Sequence, residues 1–329
     1  MTWLVTGGAG YIGAHVVRAL RDDGVDVVVL DDLSTGDPSR IGDTPLVRAS
    51  LLDRDAVWRT LADHDVSGVV HIAGKKQVGE SVEDPYYYYR QNVLGQLTLM
   101  EAMRDAGVRR FVFSSSAATY GSPETAMVEE KAHLEPESPY GQTKVVGEWL
   151  AVDAEAAYGV RSVCLRYFNV AGAATPELGD PEALNLIPMV FARLTARKSP
   201  LIFGDDYPTP DGTCIRDYIH IADIADAHVA AVRHLEAGGE SLRLNVGRGH
   251  GSSVREVLDV IREVTGIAFT PEVVDRRPGD AVRAVASADA IRYRLGWSAR
   301  YDLRAMVESA WASWLLRHPE ARDLERVTG

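Results

Sequence analysis

A glycine-rich turn at the start of the chain limits most strongly what this sequence can fold into. Residues 2–6 predict a short apolar strand, and Gly7, Gly10 and Gly13 follow it at the spacing of a tight turn into a helix. Gly7 lets the chain reverse, Gly10 lets a pyrophosphate approach the backbone, and Gly13 lets the helix pack against the strand. The N–H groups at the helix start favour an anion. The pattern predicts a dinucleotide site, although a strand–helix turn without a ligand has the same glycines.

An acidic residue at the end of the second predicted strand indicates which dinucleotide is bound. The apolar run 25–30 ends at Asp31. A carboxylate at this place accepts hydrogen bonds from an adenosine ribose and repels a 2′-phosphate. The sequence therefore predicts NAD rather than NADP, and the alternative for Asp31 is a capping role in its own loop.

Strand-like and helix-like segments alternate over the first 115 residues. Further strands are predicted at 46–47, 68–72 and 110–113, and helices at 53–63 and 85–103. Repeated units of this kind favour a parallel sheet that is covered by helices on both faces. The predicted fold class is α/β, a doubly wound Rossmann sheet with a smaller C-terminal α/β lobe.

Composition and charge exclude several classes of function. The chain has 329 residues and a formal net charge of −12, without a cluster of Lys and Arg, so no nucleic-acid partner is expected. Cys164 and Cys214 have no metal-ligand spacing, and neither a metal site nor a disulfide is predicted. No apolar run reaches about 18 residues, so no membrane span is expected. Met1 leads directly into the glycine strand without a signal peptide, which predicts a cytoplasmic protein.

A tyrosine and a lysine four residues apart form the second informative pattern. Ser138 and Pro139 are typical of a helix start, so Tyr140 and Lys144 lie one turn apart on the same helix face. An ammonium beside a phenol favours the phenolate, which lowers the phenol pKa from its usual value of about 10. The pair therefore predicts a general base that works near neutral pH.

Several longer stretches carry a resemblance to a known family. These are residues 71–81, the strand end 113–116, the Tyr140/Lys144 pair, and residues 165–169, 202–208 and 211–220. Through them the chain resembles the extended short-chain dehydrogenase/reductase family, and within it the UDP-glucose 4-epimerases. The resemblance covers nearly the whole chain. It implies that resident NAD oxidises a UDP-sugar at C4 to a 4-keto sugar, which is then reduced from its other face, and it implies a homodimer formed by a pair of helices.

The resemblance also implies a role for individual residues. Tyr140 is expected to be the catalytic base, Lys144 to hold the nicotinamide ribose, and Ser116 to hydrogen-bond the sugar 4-oxygen. Residues expected at the NAD site are Gly7, Gly10, Tyr11, Ile12, Gly13, Asp31, Asp32, Leu51, Ala73, Gly74, Lys76, Asn92, Ser114, Tyr140, Lys144 and Tyr167. Residues expected at the nucleotide-sugar site are Lys76, Ser116, Tyr140, Phe168, Asn169, Asn185, Leu186, Leu201, Phe203, Arg216, Tyr218, Arg277 and Asp280.

Two positions depart from the pattern of the family. Ser50 occupies the place where family members commonly have an Asp that contacts adenine, and Asp53 is out of register. Ala284 occupies the place where some members have a bulky Tyr beside the sugar. A small residue leaves room for a 2-acetamido group, so UDP-N-acetylhexosamines are predicted as additional substrates.

The domain division and the rival functions follow from the same patterns. Residues 1–172, joined by a segment near 217–249, are expected to form the NAD-binding domain, and residues 173–329 the nucleotide-sugar lobe, with two helices after residue 250.

A 4-epimerase of UDP-glucuronate or a UDP-pentose is the alternative to a UDP-glucose 4-epimerase. A 4,6-dehydratase or decarboxylase of the same superfamily typically carries an acid just after the serine or threonine at this strand end, to act at C5. Residues 116–120 contain no acid, so these activities are less favoured. An NAD-binding regulator without catalysis would not need both Tyr140 and Lys144.

Overall fold

The structure is a computed structural model, and it describes residues 1–123, 125–277 and 279–324. The last five residues of the predicted C-terminal lobe, 325–329, lie outside the described part.

Strands and helices alternate along the chain as the sequence pattern predicts. The strands are β1 (Thr2–Thr6), β2 (Asp26–Asp31), β3 (Leu46–Arg48), β4 (Val66–His71), β5 (Arg110–Ser116), β6 (Arg161–Tyr167), β7 (Asn169–Ala171), β8 (Leu201–Phe203), β9 (Ile215–His220), β10 (Leu242–Val246), β11 (Gly251–Ser253), β12 (Glu272–Val274) and β13 (Arg283–Ala284). The α-helices are α1 (Tyr11–Asp22), α2 (Arg54–Asp63), α3 (Val78–Glu83), α4 (Pro85–Tyr88), α5 (Gly95–Ala106), α6 (Pro139–Tyr158), α7 (Leu186–Thr195), α8 (Ile221–Glu236), α9 (Val254–Thr265), α10 (Asp289–Leu295) and α11 (Leu303–Arg317).

A seven-stranded sheet forms the centre of the molecule. Its strand order is β10-β6-β5-β4-β1-β2-β3, and every pairing in it is parallel. This is the doubly wound order, in which the connections leave β1 and β4 in opposite directions and open a crevice at their carboxyl ends. The predicted fold class is confirmed, and β10 joins the sheet from the segment near 217–249.

Apolar residues on both faces of this sheet account for its stability. Trp3 and Val5 face a cluster with α1 and α8, whereas Leu4 and Phe111 face a cluster with α2 and α5. Alternate residues of a strand point to opposite faces, so a strand that is covered on both sides is continuously apolar. This explains why the runs of the first 115 residues lack polar alternation.

The C-terminal part forms a second, smaller layer beside the carboxyl edge of the sheet. Strands β7, β9, β11 and β13 form one sheet, and β8 pairs with β12 in another. A third apolar cluster joins α7, α9 and α11, with the Phe191 ring 4.9 Å from that of Trp311.

Two predictions about helices need correction. The predicted helix 85–103 is interrupted by a π-helical turn at Tyr89–Leu94, and a third α-helix, α10, follows residue 250 in addition to α9 and α11. The hydrophobic period of a sequence does not distinguish one extra residue per turn, and α10 is too short for a clear period. Of the helices in the described ranges, none has the length and apolarity needed to cross a membrane.

Candidate active site

A cleft of about 1320 Å³ opens at the carboxyl ends of β1, β2, β4 and β5. We call it the glycine cleft, because the turn at residues 7–13 forms its floor. It is lined by almost all residues predicted for the NAD site: Gly7, Gly10, Tyr11, Ile12, Gly13, Asp31, Asp32, Leu51, Ala73, Gly74, Lys76, Ser114, Tyr140, Lys144 and Tyr167. The remaining predicted residue, Asn92, lies behind the wall of the cleft.

Two glycines of the turn, Gly7 and Gly13, are required by close contacts between backbone segments. A Cβ at Gly13 would lie 2.0 Å from the Gly7 carbonyl oxygen, and a Cβ at Gly7 would lie 2.7 Å from the Ala73 backbone. Within the described residues, no side chain caps the first turn of α1, and that turn contains no acid. A helix N-terminus of this kind binds the negative charge of a phosphate. The turn therefore fits a pyrophosphate.

Asp31 lies at the end of β2 and is buried against the same turn. Its carboxylate accepts hydrogen bonds from the backbone N–H groups of Ala9, at 3.0 Å, and Leu33, at 2.9 Å. Burial raises the pKa of Asp31, and these two hydrogen bonds oppose the effect. The capping role therefore does not exclude the predicted contact with a ribose, since a carboxylate can accept about four hydrogen bonds.

Residues 49–51, which follow β3 and lie where an adenine contact is expected from the resemblance, bring no acid to the glycine cleft. Ser50 and Leu51 line the cleft, and the Ser50 hydroxyl accepts a hydrogen bond from Leu52 N–H at 3.2 Å. Asp53 instead caps α2 by accepting from Ala56 N–H at 3.0 Å. Asp53 is therefore occupied as a helix cap.

Asn92 fixes the loop that follows β4. It lies in the π-helical turn, donates to the Lys75 carbonyl and to the Thr143 hydroxyl, both at 3.0 Å, and accepts from Lys75 N–H at 2.8 Å. The extra residue of a π turn re-aims a side chain and is frequent at functional sites. Asn92 thus ties residues 73–76 to helix α6 rather than lining the cleft itself.

Lys76 lies on the wall of the glycine cleft opposite the C-terminal layer. Its ammonium is 3.1 Å from the Glu182 carboxylate, and Pro181 and Glu182 complete the lining from that side. The sequence indicated no role for Glu182, which comes close to the cleft only through the tertiary fold.

The predicted catalytic residues come together at the end of β5. Tyr140 and Lys144 project from the first turns of α6, which is capped by Ser138. The side chain of Ser116 hydrogen-bonds Tyr140. The Lys144 ammonium donates to the Ser114 carbonyl at 2.8 Å and lies 5.8 Å from the centre of the Tyr140 ring. A phenol, a hydroxyl and an ammonium thus meet at one side of the glycine cleft.

The structure does not support the prediction that Lys144 lowers the pKa of Tyr140. Burial raises the pKa of Tyr140 above its ordinary value, and the hydrogen bond with Ser116 lowers it by a smaller amount. Burial also lowers the pKa of Lys144 to about 8, against an opposing effect of the Glu148 carboxylate. The prediction was wrong for the protein alone, because the ammonium is directed at the Ser114 carbonyl and over the ring rather than at the phenol oxygen.

Two buried histidines pack around this group and were not predicted. His71 bonds to the Thr6 hydroxyl at 2.7 Å, and His228 to the Ser114 hydroxyl at 3.2 Å. Burial lowers the pKa of His71 to about 3 and that of His228 to about 4. Both are therefore neutral at physiological pH and add no competing positive charge beside Lys144.

A second cleft of about 1250 Å³ lies between β8, β9 and α7. We call it the arginine cleft. It is lined by nine residues predicted for the nucleotide-sugar site, Asn169, Asn185, Leu186, Leu201, Phe203, Arg216, Tyr218, Arg277 and Asp280, and also by Cys214. The other four predicted residues, Lys76, Ser116, Tyr140 and Phe168, do not line this cleft. Residues 181–182 line the glycine cleft and residues 183–186 the arginine cleft, so one segment forms a wall of both.

The charges in the arginine cleft suit a diphosphate and a ribose. The Arg277 guanidinium lies 3.7 Å above the centre of the Phe203 ring, and Arg216 lies 3.3 Å from the Asp280 carboxylate. Arg216 also donates to the Ala281 carbonyl at 2.7 Å, which fixes its direction. Two held guanidinium groups can bind phosphate oxygens by charge-assisted, bidentate hydrogen bonds.

Phe168 and Ala284 belong to a small apolar cluster beside β5. Phe168 is buried with Tyr120, Val128 and Ala286, and the half-buried Ala284 packs against the same cluster. Ala284 also pairs with Arg216 across strands β13 and β9. Ala284 therefore lies next to a lining residue of the arginine cleft but is not itself among the described residues that line either cleft.

Comparison with known proteins identifies the family. Residues 3–247 match the model of the NAD dependent epimerase/dehydratase family. This chain belongs to that family. The match covers the whole central sheet, including β10, and agrees with the extended family to which the sequence motifs point.

Individual relatives match over nearly the full length. A UDP-glucose 4-epimerase of Azospirillum brasilense is 48% identical over 99% of this chain and 93% of its own length. The structure of a UDP-glucose 4-epimerase from Stenotrophomonas maltophila, with bound NAD and formylated UDP-arabinopyranose, is 39% identical with a TM-score of 0.91 and covers 100% of both chains. The structure of a UDP-Glc/GlcNAc 4-epimerase from Campylobacter jejuni is 38% identical with a TM-score of 0.84 and covers 99% of both chains.

The burial of the Lys144 ammonium is expected to lower the free energy of unfolding by a measurable amount. Lowering its pKa from 10.5 to about 8 corresponds to about 3 kcal/mol below pH 8. This penalty disappears between the two pKa values, because the folded state loses its proton first. Replacing Lys144 by Met removes its hydrogen bond to the Ser114 carbonyl, which costs about 1–3 kcal/mol. We expect Lys144→Met to stabilise the cofactor-free protein at pH 7 by roughly 1 kcal/mol in urea unfolding.

The exposed Lys198 provides the matched control, and Lys198→Met is expected to leave the free energy of unfolding unchanged. If Lys144→Met were less stable than the starting protein at pH 7, burial would not be the main influence on this ammonium.

Proposed function

We propose that this chain is an NAD-dependent UDP-glucose 4-epimerase, which interconverts UDP-glucose and UDP-galactose by transient oxidation at C4. One observation carries the proposal. Tyr140, hydrogen-bonded to Ser116 and beside Lys144, stands on the glycine cleft, and a segment shared with the arginine cleft faces it. The full-length matches to UDP-glucose 4-epimerases support the same activity.

The residues of the glycine cleft fit NAD. The glycine turn and the uncapped start of α1 would hold its pyrophosphate, Asp31 its adenosine ribose, and Lys144 with Tyr140 its nicotinamide ribose. The chemistry that bound NAD supplies is reversible acceptance of a hydride at its cationic nicotinamide ring.

The side chains of the site then have two roles. They transfer one proton, and they hold the nucleotide while the sugar turns over. Tyr140 takes the proton from the sugar 4-hydroxyl, with Ser116 as hydrogen-bond partner, and returns it after the sugar presents its other face. Arg216 and Arg277 would hold the diphosphate throughout, so that the sugar reorients without leaving the site. A positive charge near the phenol favours its ionised form, so the raised pKa of Tyr140 in the protein alone is compatible with a base that acts only in the loaded site.

The proposal extends to domain organisation and location. Residues 1–172, with the segment near 217–249 that contains α8 and β10, would bind NAD, and the part from residue 173 onward would bind the nucleotide sugar. The cytoplasmic location expected from the sequence stays a prediction.

Removal of the Tyr140 hydroxyl tests the mechanism. We expect Tyr140→Phe to lower kcat for UDP-galactose by at least about 10²-fold, because proton transfer loses its base, while NAD remains bound. Tyr293→Phe, at a side chain that is 88% exposed, should leave kcat unchanged.

Product analysis of UDP-glucose, UDP-galactose, UDP-glucuronate and UDP-pentose identifies the sugar that turns over. Net formation of free NADH, or near-normal turnover by Tyr140→Phe, would count against the proposal.

Substrate range is the second prediction, and it rests on Ala284. Two observations support it: the small side chain at 284 packs with Phe168 and pairs with Arg216, and the Campylobacter jejuni relative is described as a UDP-Glc/GlcNAc 4-epimerase. We expect UDP-GlcNAc to be converted as well as UDP-glucose. Ala284→Tyr should reduce kcat/KM for UDP-GlcNAc by at least about tenfold relative to UDP-glucose.

Ala284→Ser, which remains small, is the control and should retain both activities. Failure to convert UDP-GlcNAc while UDP-glucose turns over would reject the broader range and leave the epimerase proposal intact.

A homodimer is the third prediction. Large apolar side chains are exposed in the π-helical turn and on the adjacent helices α5 and α6: Leu94, Leu97, Trp149, Val152 and Tyr158. A contiguous apolar surface is typical of an interface, and a twofold dimer buries the same patch on both copies.

Light scattering should give twice the chain mass of 35.9 kDa. Trp149→Glu should shift the protein toward monomer, whereas Leu316→Glu on α11 should not. A monomeric mass for the unmodified protein at micromolar concentration would contradict the prediction.

A further inference from the structure

Helix α6 carries a third ionisable side chain in the row that contains Tyr140 and Lys144. Glu148 follows Lys144 by four residues, just as Lys144 follows Tyr140, so the three lie one above another on the same helix face. Glu148 is 1% exposed. Because a buried carboxylate is costly unless it is paired and fully hydrogen-bonded, its place needs a specific reason.

The partners of Glu148 belong to the two strands behind the helix. One carboxylate oxygen accepts from the Ser115 hydroxyl at 2.5 Å and from Arg166 Nε at 2.8 Å, and the other accepts from Arg166 Nη2 at 2.5 Å. Ser115 and Arg166 are themselves opposite each other in the β5–β6 ladder. The bidentate geometry sets the direction of the carboxylate as well as its distance.

These contacts fall on the segment of β5 that holds the catalytic residues. Lys144 bonds to the Ser114 carbonyl, Glu148 to the Ser115 hydroxyl, and Tyr140 to the Ser116 side chain. Three residues of one helix face are thus attached to three consecutive residues of one strand end. Glu148 is in addition joined to β6 through Arg166.

Glu148 is the charged side chain that opposes the effect of burial on Lys144. Burial lowers the pKa of Lys144, and the Glu148 carboxylate raises it. Four described titratable groups near the end of β5 are neutral at physiological pH, because burial raises the pKa of the phenols and lowers that of the imidazoles: His71 on β4, His228 on α8, Tyr140 on α6 and Tyr167 on β6. Arg166 lies beyond Glu148 and is paired with it.

We propose that Glu148 is a positioning residue for the reaction: through Ser115 and Arg166 it fixes α6 against the end of β5, and its charge keeps Lys144 in the ammonium form. The inference deepens the proposed function, on which it rests. If Glu148 had only a structural role, its substitution would change the free energy of unfolding. It would leave the ionisation of Lys144, kcat and KM unchanged.

Three variants separate charge from position. Glu148→Gln keeps the length and removes the charge, Glu148→Asp keeps the charge and shortens the side chain, and Ser115→Ala removes the attachment to β5 while leaving the ion pair. Glu155→Gln is the matched control, because Glu155 also lies on α6 and joins it to β6, through Arg161 at 2.6 Å, but at an exposed site.

Two measurements are made on each variant. The first is the titration of the Lys144 ammonium by lysine side-chain NMR, with the signal assigned by its absence from Lys144→Met. The second is kcat and KM for UDP-galactose as a function of pH. The titration does not depend on turnover, so failure of the unmodified protein to convert any UDP-sugar would reject the proposed function without affecting the first readout.

The expected results differ between the variants. Glu148→Gln should move the Lys144 titration, and the alkaline decline of kcat, to lower pH, because the opposing charge is lost. Glu148→Asp and Ser115→Ala should keep the titration but lower kcat by about 10- to 100-fold with little change in KM, since the reacting groups are displaced. Glu155→Gln should change neither.

An unshifted Lys144 titration in Glu148→Gln would overturn the electrostatic part. Unchanged kcat in both Glu148→Asp and Ser115→Ala would overturn the positioning part. If Glu148→Gln does not fold, Glu148→Asp and Ser115→Ala still decide the positioning part. Ser115→Ala leaves the ion pair between Glu148 and Arg166 in place, so it keeps that part testable.

Discussion

The arrangement of the site depends on how helix α6 is attached to the end of strand β5. Tyr140 is held at the edge of the sheet by the Ser116 hydroxyl, and Lys144 by the Ser114 carbonyl one turn further along. The same helix is tied to the loop after β4 through Thr143 and Asn92. Since β4 and β5 are neighbours in a parallel sheet, these attachments place the phenol beside the crevice at which the sheet reverses its winding.

Burial governs the electrostatics of this site. It lowers the pKa of Lys144 to about 8, which leaves this group mainly an ammonium at pH 7, and it raises the pKa of Tyr140, which keeps the phenol neutral. Such a site is poorly set for proton transfer until charge is added to it, and the positively charged ring of NAD is of the sign that would favour a phenolate. The buried ammonium of Lys144 therefore costs stability in the protein alone.

Several parts of the fold and site could be predicted from short-range patterns. The glycine turn, Asp31 and the pair Tyr140/Lys144 lie within a few residues of the elements that place them, and periodicity locates those elements. The nine predicted residues that line the arginine cleft were named in a different way, through resemblance, because they come from separate stretches between Asn169 and Asp280. Glu148 had a signal in the sequence, the four-residue spacing after Lys144, but its burial could not be inferred from one helix. Glu182 had none.

The sequence by itself determined the parallel sheet, the dinucleotide turn and the row of side chains on α6, because each depends on local backbone geometry and on spacing along one strand or helix. Only the tertiary structure decided that Lys144 is directed at the Ser114 carbonyl rather than the Tyr140 oxygen, that Asn92 lies in a π-helical turn behind the cleft, and that residues 181–186 form a wall of both clefts. These features depend on contacts between residues far apart in the chain and on the exclusion of water, and neither is encoded in a local pattern.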